Sequence, residues 1–318
     1  MTTWLLTSGQ ALLGLVLLYF GGEWLVRGAA ALAARTGISP LAIGLTVVAF
    51  GTSAPELVVS LQAALGGASD IAVGNVVGSN IANIGLILGI AALIRPLEVH
   101  VNVLRIDSPL MLAASVLMVA LLVDGTVGRG DGLVLGLALL AYIGFTLWQS
   151  RRETAENQAE FAAGIPADHG SMAHHLLLVG AGLAALVGGG KALVGAAVAI
   201  ATALGVSQAV IGLTIVAVGT SLPELAASIV AALRGQGDIA LGNVIGSNLF
   251  NILGILGVTA MVSPLPRGEV GWDTLGVMLL FALAVWPLAL TGQRLVRGEG
   301  AALIGAYGAY IGWLGFTA

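Results

Sequence analysis

Two glutamates interrupt long apolar runs of this sequence, each closing the same six-residue pattern: Gly51-Thr52-Ser53-Ala54-Pro55-Glu56 and Gly219-Thr220-Ser221-Leu222-Pro223-Glu224. Inside a bilayer a carboxylate costs about 3 kcal/mol even on the lenient insertion scale, so such residues are functional candidates by default. The proline in each pattern lacks an N–H, and its ring clashes with the carbonyl four residues back. The carbonyl of Gly51 therefore loses its partner. Carbonyls around the break, including those of Ala49 and Thr52, become candidate cation ligands beside the hydroxyls of Thr52 and Ser53 and the Glu56 carboxylate. Ala217, Gly219, Thr220, Ser221, Pro223 and Glu224 supply the same parts again. All the donors are hard oxygens, which suit Na+ and the about six to eight ligands of Ca2+ but not a soft transition metal. Glu56 and Glu224 together carry the charge that one Ca2+ neutralises, and several Na+ ions or protons could take its place.

A second pattern follows each of the first. Gly74-Asn75, Gly78-Ser79-Asn80 and Asn83 recur as Gly242-Asn243, Gly246-Ser247-Asn248 and Asn251. Ser79 and Asn83 are four residues apart and share a helix face, as do Ser247 and Asn251. Gly74 and Gly78 form a small-xxx-small face whose close packing is expected to bring the Ser/Asn face up to the Pro-Glu segment. One copy of GTSxPE would read equally well as a kinked helix with self-capping hydroxyls. Two copies, each followed by GNxxGSNxxN, favour an ion site.

The elements that position these residues must lie in lipid. With 58% hydrophobic and 9% charged residues and a mean hydropathy of +1.02, the chain has too few charges to cover a soluble surface. A span needs about 20 apolar residues. Apolar runs near 4–34, 40–65, 71–94, 103–123 and 129–149, then near 173–203, 208–233, 239–262, 272–291 and 299–317, predict an all-α membrane protein of ten transmembrane helices. The opening run has no basic flank or small-residue cleavage site and continues past residue 30, so it reads as a first span and not a signal peptide. With no cysteine, disulfides and thiolate metal sites are excluded. The 47 glycines point to close helix packing and broken helices.

A shift of 168 residues aligns the two halves. Residues 38–57 match 206–225 at 13 of 20 positions and 70–83 match 238–251 at 10 of 14, with Gly, Thr, Ser, Pro, Glu, Asp and Asn in the same order, which chance apolar matching does not produce. The chain is thus a duplication: a first five-helix repeat over 1–149, a linker over 150–171 and a second repeat over 172–318. An odd number of spans per unit makes the repeats inverted, an arrangement of secondary transporters whose sites lie at the midplane, where discontinuous helices meet. The linker, with Arg151, Arg152, Glu153, Glu156, Glu160, Asp168 and His169, reads as solvated. If the N-terminus is outside, the inner loops hold Arg35, Arg95, Arg105, Arg151, Arg152, Arg234, Arg294 and Arg297, and the outer loops only Arg129 and Arg267. That bias puts both termini outside and the linker in the cytoplasm of a plasma-membrane protein. Arg27 and Lys191 fall within spans; Glu23 and Arg27 are spaced for an intrahelical pair, and Lys191 for snorkelling. His100, His169, His174 and His175 fall in loops or at a span edge, without the spacing of a zinc site. Trp4, Trp148 and Trp272 fit interfacial anchors.

The paired GTSxPE and GNxxGSNxxN motifs resemble those of the cation/Ca2+ exchanger superfamily, sodium/calcium exchangers of the prokaryotic type, across both halves of the chain. The resemblance implies that the second, third, seventh and eighth helices form a compact core around the ions, and that the first and sixth slide across it to alternate access. It carries the family's ligand positions onto Ala49, Thr52, Ser53, Glu56, Ser79 and Asn83, and onto Ala217, Thr220, Ser221, Glu224, Ser247 and Asn251. Glu56, Glu224, Thr52 and Thr220 are then implied to hold Ca2+, with Ser79, Ser247 and the two alanine carbonyls at flanking Na+ sites. Some members carry Asp where this chain has Asn251, a departure that bears on ion choice. The 150–171 linker is far too short for the regulatory domains of animal relatives. An antiporter exchanging Ca2+ for Na+ is the function this implies, with those ions and the lipid bilayer as partners, and without an organic cofactor, a nucleic-acid partner or an enzymatic reaction. An H+/Ca2+ exchanger is a rival, since empty buried glutamates also take up protons, but the hydroxyl-rich motifs offer neutral Na+ ligands. A cation channel is disfavoured by the inverted broken helices, and a membrane enzyme by the lack of paired His, of a nucleophile with its base and of a nucleotide motif.

Overall fold

The computed structural model describes residues 2–67, 69–152, 171–204, 217–268, 270–290 and 293–317. The first half holds α1 (Thr2–Thr36), α2 (Pro40–Thr52), α3 (Ala54–Leu65), α4 (Ile71–Ile94), α5 (Val103–Leu121) and α6 (Arg129–Ser150). The second holds α7 (Met172–Ala203), α8 (Ala217–Thr220), α9 (Leu222–Leu233), α10 (Gly237–Val262), α11 (Trp272–Leu290) and α12 (Arg297–Thr317). Two-residue strands tie the loops: β1 (Leu97–Glu98) pairs antiparallel with β4 (Arg294–Leu295), and β2 (Thr126–Val127) with β3 (Leu265–Pro266). Among the described residues six helices are long and apolar enough to cross a membrane, seven if α2 and α3 form one bent span, and the shorter α9 and α11 are also apolar. The chain is a helical membrane protein. Its helix ends fall within a few residues of the apolar runs; the linker and the start of the run at 208–233 lie largely outside the described residues.

Proline placement explains the breaks. Pro55 and Pro223 stand in the first turn of α3 and α9, where no N–H is needed. The residue that closes the preceding helix leaves helical geometry at the same angles in both halves: Ser53 at φ −82°, ψ 6° and Ser221 at φ −87°, ψ 10°. The axis bends by 45° between α2 and α3. Both broken segments end at a glycine with positive φ, Gly67 and Gly235, 168 residues apart.

Small residues set the packing. Gly14 of α1 meets Gly189 of α7, and Gly21 meets Gly182, with a Cβ at any of the four falling about 3 Å from the facing backbone. The partner number falls as the first number rises, so α1 and α7 run antiparallel. Helix α10 is buried along nearly all its length and α4 along most of it, whereas α1, α6 and α7 leave most of their surface to lipid. Gly242 and Gly246 of α10 press on α2: a Cβ at Gly242 would lie 2.7 Å from the Leu41 carbonyl oxygen, and one at Gly246 2.5 Å from that of Leu45. The glycine face of the second motif therefore packs across the repeats, onto the broken helix of the other half. For Gly74 and Gly78 the corresponding partner sequence begins at residue 209, and 205–216 lie outside the described residues.

Glu23 has a partner beyond its own helix. Its carboxylate is held by the Arg234 guanidinium at the end of α9. Lys191 is exposed, as a snorkelling lysine should be. Trp148 and Trp272 are exposed and lie under Arg152 and Arg267, the pattern of interfacial anchors. His174 and His175 sit in the first turn of α7, with His175 buried.

Candidate ion-binding site

The four broken or polar elements, α2–α3, α4, α8–α9 and α10, bring the two motif sets to one place. Ser53, at the break of the first half, donates from Oγ to Glu224 Oε1 at 2.7 Å; Ser221, at the break of the second, donates to Glu56 Oε1 at 3.0 Å. Each serine thus holds the carboxylate of the opposite repeat. Ser221 Oγ also lies 3.4 Å from Ser79 Oγ. The Thr52 hydroxyl stands 3.1 Å from Asn243 Oδ1 and 3.0 Å from the Val48 carbonyl, either of which can accept its one proton. Both glutamates are 1% exposed, and the two carboxylates lie within electrostatic reach of each other.

Asparagines build the surroundings with the same exchange across the repeats. Asn83 Nδ2 donates to Asn248 Oδ1 at 3.0 Å, and Asn251 Nδ2 to Asn80 Oδ1 at 3.2 Å. Their α-helices widen to π-helical turns over Asn83–Leu88 and Phe250–Leu256, so Asn83 and Asn251 sit where the helix is locally irregular, a frequent mark of functional positions. Asn75 Nδ2 reaches Ser60 Oγ at 3.0 Å and the Glu56 carbonyl at 3.3 Å; Asn243 Nδ2 reaches Ser228 Oγ at 2.9 Å and the Glu224 carbonyl at 3.3 Å. These bonds fix the backbone on which each carboxylate stands.

Five buried oxygens of this cluster accept no hydrogen bond among the described residues: Glu56 Oε2, Glu224 Oε2, Asn83 Oδ1, Asn251 Oδ1 and Ser247 Oγ. A buried polar atom without a partner costs about 1–3 kcal/mol, more when charged. Hard oxygens of this kind, beside two carboxylates, are of the type that a hard cation takes as ligands. Of the residues singled out from the sequence, Thr52, Ser53, Glu56, Ser79, Asn83, Ser221, Glu224, Ser247 and Asn251 are buried in or beside this cluster. Ala49 is buried one turn before the break, its carbonyl accepting the Ser53 N–H at 3.0 Å and lying 3.3 Å from the Thr52 hydroxyl. Thr220 is half-buried at the end of α8, and Ala217 opens that helix at the edge of the described residues. Asn80 and Asn248 were read as motif positions but not as members of the site, and Ser60 and Ser228 were not singled out. Their signal was available: each serine lies four residues after its glutamate, and each pair lies 168 apart.

The sequence model of the family described as "Sodium/calcium exchanger protein" matches residues 7–150 and 174–316, nearly all of both halves. The chain belongs to the sodium/calcium exchanger family. The sodium/calcium exchanger MaX1 of Methanosarcina acetivorans is 36% identical over 335 residues, covering 94% of this chain and 96% of its own. Inner membrane protein YrbG of Escherichia coli K12 is 38% identical over 321 residues, 98% of this chain and 96% of its own. Among solved structures, the sodium-calcium exchanger NCX_Mj soaked with Na+ and Ca2+ superposes with a TM-score of 0.83 at 35% identity, over 96% of this chain and 98% of that one. The structural match therefore extends over both halves of the chain.

Proposed function

We propose that this membrane protein exchanges Ca2+ for Na+ by alternating access, with the cluster around Glu56 and Glu224 as its one transport site. The observation that carries this reading is the reciprocal hold of Ser53 on Glu224 and Ser221 on Glu56, which joins two equivalent half-sites into a single oxygen-lined cage with two buried negative charges. One Ca2+ balances that charge and takes about six to eight oxygens. Glu56 and Glu224 are its main ligands, with Thr52 and Thr220 beside them. Ser79, Ser247 and the carbonyls of Ala49 and Ala217 serve flanking Na+ ions, and the oxygens of Ser53, Ser221, Asn83 and Asn251 complete the cage. Neutral hydroxyls and amides in such number favour Na+ over H+ as the counter-ion, since a proton needs only the carboxylates.

The same charges account for coupling. Occluding two uncompensated carboxylates in a low-dielectric interior costs several kcal/mol per charge, so passage is open to the cation-loaded protein and closed to the empty one. Helices α1 and α7, joined by their antiparallel glycine contacts and largely exposed, are the sliding pair.

The architecture proposed with it has ten spans in two inverted repeats, 1–149 and 172–318, joined by the 150–171 linker, with both termini outside. Antiparallel α1 and α7 support inversion. So do the strands: β1 and β4 are separated by six predicted spans and β2 and β3 by four, and even numbers put each pair on one face.

Reconstituted vesicles test the function. Ca2+ uptake should follow an outward Na+ gradient, persist when the pH gradient is collapsed, and stop when Na+ is absent. Uptake that follows the pH gradient alone assigns H+ exchange, and uptake without any counter-gradient assigns a channel.

A further inference from the structure

The two halves are not packed alike. Gly14 and Gly21 of α1 stand 168 residues from Gly182 and Gly189 of α7, so the correspondence of the repeats runs through this pair and matches Gly22 with Gly190. Gly22 packs on α9: a Cβ there would lie 2.8 Å from Val230 Cγ2 and 3.2 Å from the Ala226 carbonyl oxygen. The counterparts of Ala226 and Val230 are Val58 and Gln62 of α3. The nearest neighbours of Gly190 are instead Pro223, Gly219 and Leu222 of its own half. Val230 is accordingly buried, whereas Val58 is 51% exposed and Gln62 is exposed too. Helix α1 thus covers a flank of α9 whose equivalent on α3 is left uncovered by α7.

The ion pair of Glu23 with Arg234 joins α1 to α9 on the covered flank. Glu23 follows Gly22 on α1, and its carboxylate accepts from Arg234 Nε at 2.6 Å and from Nη2 of the same guanidinium. The pair stands at the arginine-rich end of the molecule. Gly235, at positive φ, lies against the Arg95 guanidinium, and Gly237 lies against Leu97 of β1, whose partner β4 carries Arg294. This end is the inner one in the orientation proposed above. The repeat supplies no second copy of the pair: Glu23 corresponds to Lys191, and Arg234 to Gly66.

We infer that the Glu23–Arg234 pair is a latch on the sliding helices, which holds the arginine-rich end shut and tilts the ion-free protein toward the state open at the opposite end. The latch presupposes the alternating access proposed above, in which one bundle moves against the other around the site. With the roles of the halves exchanged, α7 covers the flank of α3 and α1 leaves Val230. A slide of one helical turn, about 5.4 Å, carries Glu23 beyond the about 3.2 Å reach of a hydrogen bond to Arg234. Lys191 then comes beside Gly66, which has no side chain to bind it. The bond therefore exists in one state only, and an interaction confined to one state shifts the equilibrium by its own strength. For side chains 23% and 41% exposed, that shift is a factor of about two to five.

The chain has no cysteine, so an introduced one reports accessibility without background. Val230→Cys reports the covered flank and Gln62→Cys its uncovered counterpart. Each is placed in the full chain in detergent, in choline chloride without Na+ or Ca2+, and the rate of its reaction with a charged methanethiosulfonate is measured. Adding Glu23→Gln should speed the reaction at Val230→Cys about two- to fivefold and should not speed it at Gln62→Cys. Arg234→Gln should do the same, and the two together should do no more than either alone. If Glu23→Gln does not fold, Arg234→Gln decides. An unchanged rate at Val230→Cys overturns the proposal, as do additive effects of the two substitutions or a rise at both reporters, the mark of a generally loosened fold. The readout needs no transported ion and no gradient, so uptake driven by H+ in the vesicle assay would overturn the Na+ reading and leave the latch standing, and an unchanged rate here would do the reverse.

Discussion

Replacing Gly246 with alanine should damage ion binding without touching a proposed ligand. A Cβ there would stand 2.5 Å from the Leu45 carbonyl oxygen, 2.7 Å from Leu45 Cα and 2.8 Å from Ala49 Cβ. Two of the three are backbone atoms or their carbonyl, which cannot rotate away. Comfortable separation is about 3.5 Å or more, so α2 and α10 must part by about 1 Å. Thr52 lies three residues beyond Ala49 on one side of this wedge, and Asn243 three residues before Gly246 on the other. Their 3.1 Å contact would lengthen beyond hydrogen-bonding range. Overpacking of this kind costs about 1–3 kcal/mol; borne by the loaded protein, it weakens Ca2+ binding by about tenfold or more. The assay is the Ca2+ dependence of uptake in proteoliposomes beside thermal unfolding in detergent, with Gly308→Ala as control because nothing lies within 4 Å of its Cβ. Wild-type half-saturation and Tm in Gly246→Ala would refute the inference that this crossing holds the site together.

Three further outcomes follow from the site. Glu56→Gln and Glu224→Gln should each abolish Ca2+ transport while leaving a folded protein in detergent, read by uptake and size-exclusion chromatography; normal flux in either removes that residue from the site. Acid should inhibit by competition, because a carboxylate holding a proton cannot give Ca2+ its full charge. Lower pH should then raise the Ca2+ needed for half-maximal uptake and leave the maximal rate reachable, whereas loss that Ca2+ never rescues points to another group. Transport should need Na+ but not K+, since Asn251 and Asn83 are neutral amides and the cage holds two negative charges; a strict K+ requirement, with choline as replacement, would show that the amide does not set ion choice.

Much of this was legible in the sequence because the duplication repeats polar residues that lipid would otherwise reject. Glu56 and Glu224, with a proline before each, marked both the break and the charge. Ser53 and Ser221 were visible as oxygen donors, but their reach to the opposite glutamate was not, since no spacing within one repeat reveals a contact between repeats. The same limit hid the partner of the glycine face. Gly242 and Gly246 do permit close packing, yet the helix they meet is α2 of the other half. Glu23 is a third case: the (i, i+4) rule sees Arg27 and cannot see Arg234, brought alongside by the packing of α1 on α9. The asparagine exchange of Asn83 with Asn248 and of Asn251 with Asn80 belongs to this class too. Local structure, the helix ends and the Ser53 and Ser221 breaks followed from local chemistry; the pairing of the halves needed three dimensions.

The claim at the centre is that Ca2+ and Na+ compete for one cage built on Glu56 and Glu224. Equilibrium binding of radioactive Ca2+ to the purified protein, titrated with NaCl against choline chloride at constant ionic strength, tests it directly. One Ca2+ per chain should bind, Na+ should displace it steeply with more than one ion acting, and Glu56→Gln should remove the binding. Ca2+ that stays bound as Na+ rises, or that binds equally well to Glu56→Gln, would contradict the account.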